Sequence, residues 1–248
     1  MNDVNELHVF LWELELPILF ISIFLSAYFA NRWYKTIYKT LYKHDKTQVL
    51  FCLNIIPVVS IIIIFVIVIT LAAPSVVESG FYILFYTILG MVFVFLQARL
   101  MRLFWDLSWW YDVLNLNNKA AVLPVFCGMV GTAILYAAMN IGDGDGWWCV
   151  LVPFIMCWGL WFLLAMLLLS FGQLAEKITV ERNINAGLRF SFYLIVLALL
   201  ISWINMGDWT SFGVTVEEFM ASWPVIILAF IILVIERLWG RAVETRSN

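Results

Sequence analysis

Apolar residues along this chain gather into long runs, and polar residues gather into the short gaps between them. A helix needs about 20 apolar residues, with roughly 17–25 typical, to cross the hydrocarbon core of a bilayer. Seven runs meet that length: 16–34, 49–73, 81–98, 120–141, 147–172, 184–206 and 219–235. Every gap holds charge, Gly or Pro, and APSVVESG, IGDGDG and GDWTSFGVTVEE read as turns on one side, with IGDGDG a flexible acidic one. The pattern predicts an all-α polytopic membrane protein, a single transmembrane domain over residues 1–248, made of one leading helix and three helical hairpins.

Composition agrees with that reading. The chain is 64% hydrophobic and 12% charged, whereas soluble domains carry about 25% charged residues. A soluble fold of this length could not hide so much apolar surface; lipid can accept it. The opening MNDVNELHVF is acidic and does not read as a cleavable signal peptide. Cys52, Cys127, Cys149 and Cys157 lie in or beside apolar runs, form no CxxC pair and read as small buried hydrophobes.

Charge orients the helices. All 14 Lys and Arg fall on one side of the seven-span layout: Arg32 to Lys46, then Arg99, Arg102 and Lys119, then Lys177, Arg182 and Arg189, then Arg237, Arg241 and Arg246. The other side holds Asp3, Glu6, Glu13, Glu15, Glu78, Asp143, Asp145, Asp208, Glu217 and Glu218. The positive-inside rule then predicts a bacterial inner (plasma) membrane protein with its N-terminus outside and its C-terminus in the cytoplasm. An even number of spans would scatter this division. Trp147, Trp148, Trp209 and Trp223, and on the other side Trp33, Trp105, Trp109 and Trp110, sit at span ends as interfacial belts. The segment 103–114 (LFWDLSWWYDVL) is expected either to prolong the third helix or to lie along the membrane surface. Its Trp105, Trp109 and Trp110, with Arg99 and Arg102, are the candidate contacts to lipid or to a protein partner.

A two-helix unit recurs. HDKTQVLFCLNI, NNKAAVLPVFCG and RNINAGLRFSFY enter the even spans, and Asp45, Asn118 and Asn183 follow one another at about seventy residues. A two-span unit keeps its direction in the membrane, so this is a parallel repeat. Asn118 and Asn183 stand where an N-cap would satisfy the first N–H groups of a helix. Ala120, Ala121, Ala186 and Gly187 follow, small enough for helix backbones to approach closely.

On these residues the chain resembles the YjfL-like bacterial membrane proteins (domain of unknown function 350), with tandem two-helix units each carrying Asn and then Ala-Ala or Ala-Gly at a helix start. The matching positions are Asn118-Lys119-Ala120-Ala121 and Asn183-Ile184-Asn185-Ala186-Gly187, joined by QLAEKITVERN. The resemblance covers roughly residues 115–206. Lys119 and Asn185 depart from the small or hydroxyl residues of the pattern, and the first unit, 44–73, lacks its Asn-Ala-Ala signature; an extended or divergent member is implied. The family supplies a fold and no established reaction, and the resemblance implies an envelope-associated or polyamine-linked role.

No catalytic, cofactor-binding or metal-binding residue emerges. GDGDG (142–146) lacks the ligand series of a calcium loop, and an aspartyl dyad with Asp112 would have to reach across the bilayer. His8 and His44 lie on opposite sides without HExxH, and no GxxxxGK[ST] occurs. The seven-span layout resembles retinal proteins, but the last span has no lysine. Asp106, Asp112, Glu176 and Glu181 form the one acidic cluster that an intramembrane enzyme could use. Arg99, Arg189, Glu236 and Arg237 are expected to reach an interface by snorkelling. Asn54, Ser60, Thr132, Tyr136, Ser191 and Ser202 are expected to bond between helices rather than line a pore. The expected partners are the lipid bilayer and other membrane proteins, as a homo- or hetero-oligomer, with no nucleic acid. The function expected is that of a subunit or scaffold of a membrane complex; the alternative is a channel or small-solute transporter.

Overall fold

The computed structural model describes residues 14–41, 47–144 and 146–247. The acidic start (Asp3, Glu6, His8, Glu13), the entry to the second helix (Lys43, His44, Asp45, Lys46) and Asp145 lie outside the described residues. In chain order come α1 (Glu15–Leu41), α2 (Thr47–Leu71), the single turn α3 (Pro74–Val77), α4 (Gly80–Phe104), a π-helical turn (Trp109–Asn115), α5 (Lys119–Ala138), α6 (Trp147–Phe171), α7 (Leu174–Thr179), α8 (Ile184–Asn205), α9 (Phe212–Met220) and α10 (Trp223–Ser247). Among the described residues seven helical stretches are long and apolar enough to cross a membrane: α1, α2, α4, α5, α6, α8 and Phe212–Leu238. The chain is an all-α, multi-pass membrane protein.

The layers are unequal. α5 is the axis: 78% of its most apolar window is buried within the chain, against 17% for the first and the last span. It packs on α8, α2, α4 and α6, with α8 its most extensive neighbour. α1 leans on α4 and only lightly on α2, and α10 leans on α6 and α8. Small residues on or facing α5 make room for large ones. A Cβ on Gly131 would meet the Trp161 ring at 2.8 Å, and one on Gly90 would meet the Tyr136 ring at 2.5 Å. Both rings are also tied by hydrogen bonds: Trp161 Nε1 donates to Leu194 O (2.9 Å) and Tyr136 Oη to Tyr86 O (2.9 Å).

Prolines inside helices explain two further contacts. A proline lacks the N–H that would bond the carbonyl four residues earlier. Pro57 thus releases Leu53 O, and Trp33 Nε1 of α1 donates to it at 3.2 Å. Pro124 releases Ala120 O, the atom against which Gly187 of α8 is packed.

The end opposite the basic residues is tied together by main chain and aspartate. Gly142 N–H donates to Leu71 O (3.2 Å), Asp143 N–H to Asp208 Oδ1 (2.7 Å), and Trp209 N–H to Asp143 O (2.7 Å). Gly142 has a positive φ of 104°, and a Cβ there would meet the Gly207 carbonyl carbon at 2.5 Å, so only glycine fits. Against the reading of IGDGDG as a flexible turn, its described residues Gly142 and Asp143 are bonded to α2 and to the turn before α9.

GDWTSFGVTVEE is likewise more than a turn. Ser211 Oγ accepts from Val214 N–H (3.3 Å) and starts α9. The last apolar run therefore divides: Phe219 and Met220 close α9, and the crossing helix α10 begins at Trp223, not at 219. Asn205 Nδ2 donates to Ser222 Oγ (2.8 Å) at this break, and Pro224 fits the first turn of α10, where its missing N–H costs nothing.

Candidate functional site

The basic end holds two neighbouring arrangements, a packed hub between α5 and α8 and an open groove between α1 and α4.

The hub is built by two loops of like geometry. Each leaves a long helix, makes a short helical turn and re-enters through a residue with left-handed backbone, Asn117 (φ 52°) or Arg182 (φ 54°), followed by the capping Asn. Asn118 Oδ1 accepts from Ala120 N–H (3.0 Å), and Asn183 Oδ1 accepts from Ala186 N–H (3.1 Å). The capping residues' own N–H groups donate to Asp112 O (2.9 Å) and Lys177 O (2.8 Å). The loops then join, because Asn118 Nδ2 donates to Ile178 O at 2.7 Å. Asn118 is 1% exposed, whereas Asn183 faces outward. Ala120, Ala121, Ala186 and Gly187 are buried at the contact, and a Cβ on Gly187 would overlap Ala120 O.

The groove encloses about 550 Å³. α1 supplies Phe29, Arg32, Trp33 and Thr36; α4 supplies Phe95, Ala98, Arg99, Arg102 and Leu103; the loop beyond supplies Ser108, Trp109 and Trp110. Its floor is aromatic: Trp33 lies 4.1 Å from Trp109, ring centre to ring centre, and 6.1 Å from Phe95. The Arg99 guanidinium carbon sits 4.1 Å from the centre of the Phe29 ring, a close cation–π contact. Arg32 Nη1 donates to Tyr28 Oη at 3.1 Å. Among the described residues none of Arg32, Arg99 and Arg102 is in an ion pair, and no carboxylate lines the groove. Arg102, Ser108 and Trp110 also border an adjoining open depression, and this one is lined by Asp106 and Asp112. Asp112 is buried and its Oδ2 accepts from Ser108 N–H (2.7 Å). Burial pushes its carboxyl above the usual carboxylate range, and the Ser108 N–H pulls it partly back.

The expected contact residues therefore separate. Arg99, Arg102, Trp109 and Trp110 come together in the groove. Trp105 does not: it is 1% exposed and stacks on Phe162 at 5.1 Å, with Trp161 and Phe190 at its edges. The cause is Asp106, whose left-handed backbone (φ 50°) ends α4 and turns the chain under the bundle. Nor is 103–114 one interfacial helix. Leu103 and Phe104 finish α4, a bend follows, and Asp112, Val113 and Leu114 of the π-helical turn are buried.

Sequence reasoning missed Arg32 and Trp33 as part of this site. The signal was present in the charge division, which puts Arg32 at the same end as Arg99, and in Pro57, which leaves Leu53 O to be claimed. It also missed a second ionic feature. Arg189 does not simply reach for an interface: its Nε and Nη2 donate to Glu236 Oε1 (2.7 Å) and Oε2 (3.1 Å), and Tyr193 Oη donates to Oε1 (2.8 Å). Glu236 is 2% exposed, so this bidentate pair fastens α8 to α10.

Three of the six polar side chains that could line a path bond locally instead. Asn54 donates to Leu50 O, Thr132 to Gly128 O and Ser191 to Gly187 O, each one turn back on its own helix. Tyr136 bonds across to α4, and Ser60 and Ser202 are buried. Asp106 and Asp112 border the depression beside Arg102, whereas the exposed Glu176 and Glu181 border neither cavity. Comparison with family models, with curated proteins and with solved structures gives no match to this chain.

Proposed function

We propose that the chain is a non-catalytic subunit or scaffold of a complex in the bacterial inner membrane, with the basic end in the cytoplasm and the N-terminus outside. The observation that carries this reading is the contrast between a filled interior and flanking helices that bury little of their surface within the chain. α5 is the most buried span, Thr132 bonds back to Gly128 O and Tyr136 bonds across to Tyr86 O, which speaks against a solute path along the axis. α1 packs on one side against α4 and α10 on one side against α6 and α8, and they turn Phe20, Ile21, Phe24, Phe230 and Ile231 outward. Such helices suit lateral packing against other membrane proteins, where small residues and shape rather than the hydrophobic effect drive association. The one-sided charge supports the orientation. Purification in mild detergent with cross-linking and mass spectrometry tests the reading: we expect a stable homo- or hetero-oligomer with α1 or α10 at the cross-links. A clean monomer without a co-purifying protein overturns it.

A second reading, a channel or small-solute transporter, is favoured by the two loops of like geometry around Asn118 and Asn183. They support a parallel repeat, and with it kinship to the YjfL-like proteins, as an extended or divergent member. Flux of protons, cations or polyamines into liposomes above the empty-vesicle rate would establish transport; its absence removes this reading.

A further inference from the structure

The groove between α1 and α4 contains three guanidinium groups, an aromatic floor and no carboxylate. Its depth in the membrane follows from helix length. α4 has 25 residues, about 37 Å at 1.5 Å per residue, against a hydrocarbon core of about 30 Å. Arg99 lies roughly 28 Å from the start of α4, at the edge of the hydrocarbon, and Arg102 one turn further, at headgroup level. Trp109 and Trp110 stand at the same level on the loop, as aromatic side chains do at the interface. Below the arginines the lining turns apolar, with Phe29 and Phe95.

Concentrating this charge on one groove is costly unless an anion balances it, and guanidinium forks match phosphate oxygens with paired N–H donors. A soluble anion would use only the upper half of the groove. An amphiphile uses both halves, phosphate between Arg32, Arg99 and Arg102, acyl chain against Phe29 and Phe95. We propose that the groove is a binding site for the phosphate of an anionic phospholipid, held by Arg32, Arg99 and Arg102 over the Trp33–Trp109 floor. The site goes beyond the subunit reading and requires no partner protein, so either can fail alone.

The test uses the full chain in detergent micelles, titrated with phosphatidylglycerol, with phosphatidylcholine and with inorganic phosphate, and retained ligand is counted by native mass spectrometry. Phosphatidylglycerol is expected to be retained over phosphatidylcholine by roughly tenfold or more, as two or more surface-level cations would give. The double variant Arg99→Gln/Arg102→Gln should lose that preference, and Arg99→Lys/Arg102→Lys should keep part of it, having charge without the fork. Lys35→Gln/Lys39→Gln removes two exposed charges from α1 outside the groove and should leave it intact. Quenching of tryptophan fluorescence by phosphatidylglycerol brominated on its acyl chains leaves the arginines untouched: it should saturate at low lipid ratio and weaken in Trp110→Phe. Equal loss in the lysine variant, unchanged preference in the arginine variant, or displacement of the lipid by millimolar inorganic phosphate would overturn the proposal.

Discussion

The α5–α8 hub and the α1–α4 groove share the basic end of the molecule and are built on opposite terms. In the hub the buried amide is satisfied by the protein: Asn118 spends its oxygen on Ala120 N–H and its amide on Ile178 O. Backbones approach until a single Cβ would not fit. In the groove the aromatic rings are packed, but the cationic groups above them find no carboxylate among the described residues. Satisfied and tightly packed groups hold a fold together. Charged groups left around a cavity of ligand size have work outside the fold. Proximity at one end of a bundle is therefore no guide to role; the partners of each polar atom are.

Substitutions should separate the two regions. Gly187→Ala carries the largest expected effect, because its Cβ would strike the backbone oxygen of Ala120 rather than a movable side chain. Thermal unfolding in micelles should report a loss of roughly 3 kcal/mol, the upper end for overpacking. Gly159→Ala, with nothing within 4 Å of the added carbon, should be neutral and serves as its control. Parity between the two would break the account of the hub.

Next come the caps. Asn118→Ala loses a cap and leaves the Ile178 carbonyl without its donor, at about 1–2 kcal/mol. Asn183→Ala loses only an exposed cap, at about 0.5–1 kcal/mol. Comparing the two melting temperatures sharpens the hub, since equal losses would mean that the loop-to-loop bond contributes nothing. The smallest effect belongs to the groove. Arg99→Gln/Arg102→Gln should change lipid-free stability by about 1 kcal/mol or less, chiefly through the Phe29 contact. A loss as large as that at Gly187 would make these arginines structural and erase the distinction.

Local chemistry was legible along the chain where the relevant atoms are close in sequence. Asn118 and Asn183 precede apolar runs, and an N-cap needs only its own first turn. Trp105 was misplaced because its burial depends on a left-handed residue one step later, a choice that sequence pattern does not display. Arg189 was misplaced because its partner Glu236 is 47 residues away on another helix.

By itself the sequence determined that this is a multi-pass helical protein and where its charge lies, because the cost of burying polar groups in lipid acts on each segment independently. Tertiary structure alone decided that α5 lies at the centre, that Trp105 is core while Trp109 and Trp110 are not, and that Arg32 joins Arg99 and Arg102 around one cavity. Lipid constrains how each helix crosses, but it is nearly indifferent to which apolar faces meet. That choice falls to small residues, released carbonyls and the fit of particular rings, which exist only once the helices are side by side.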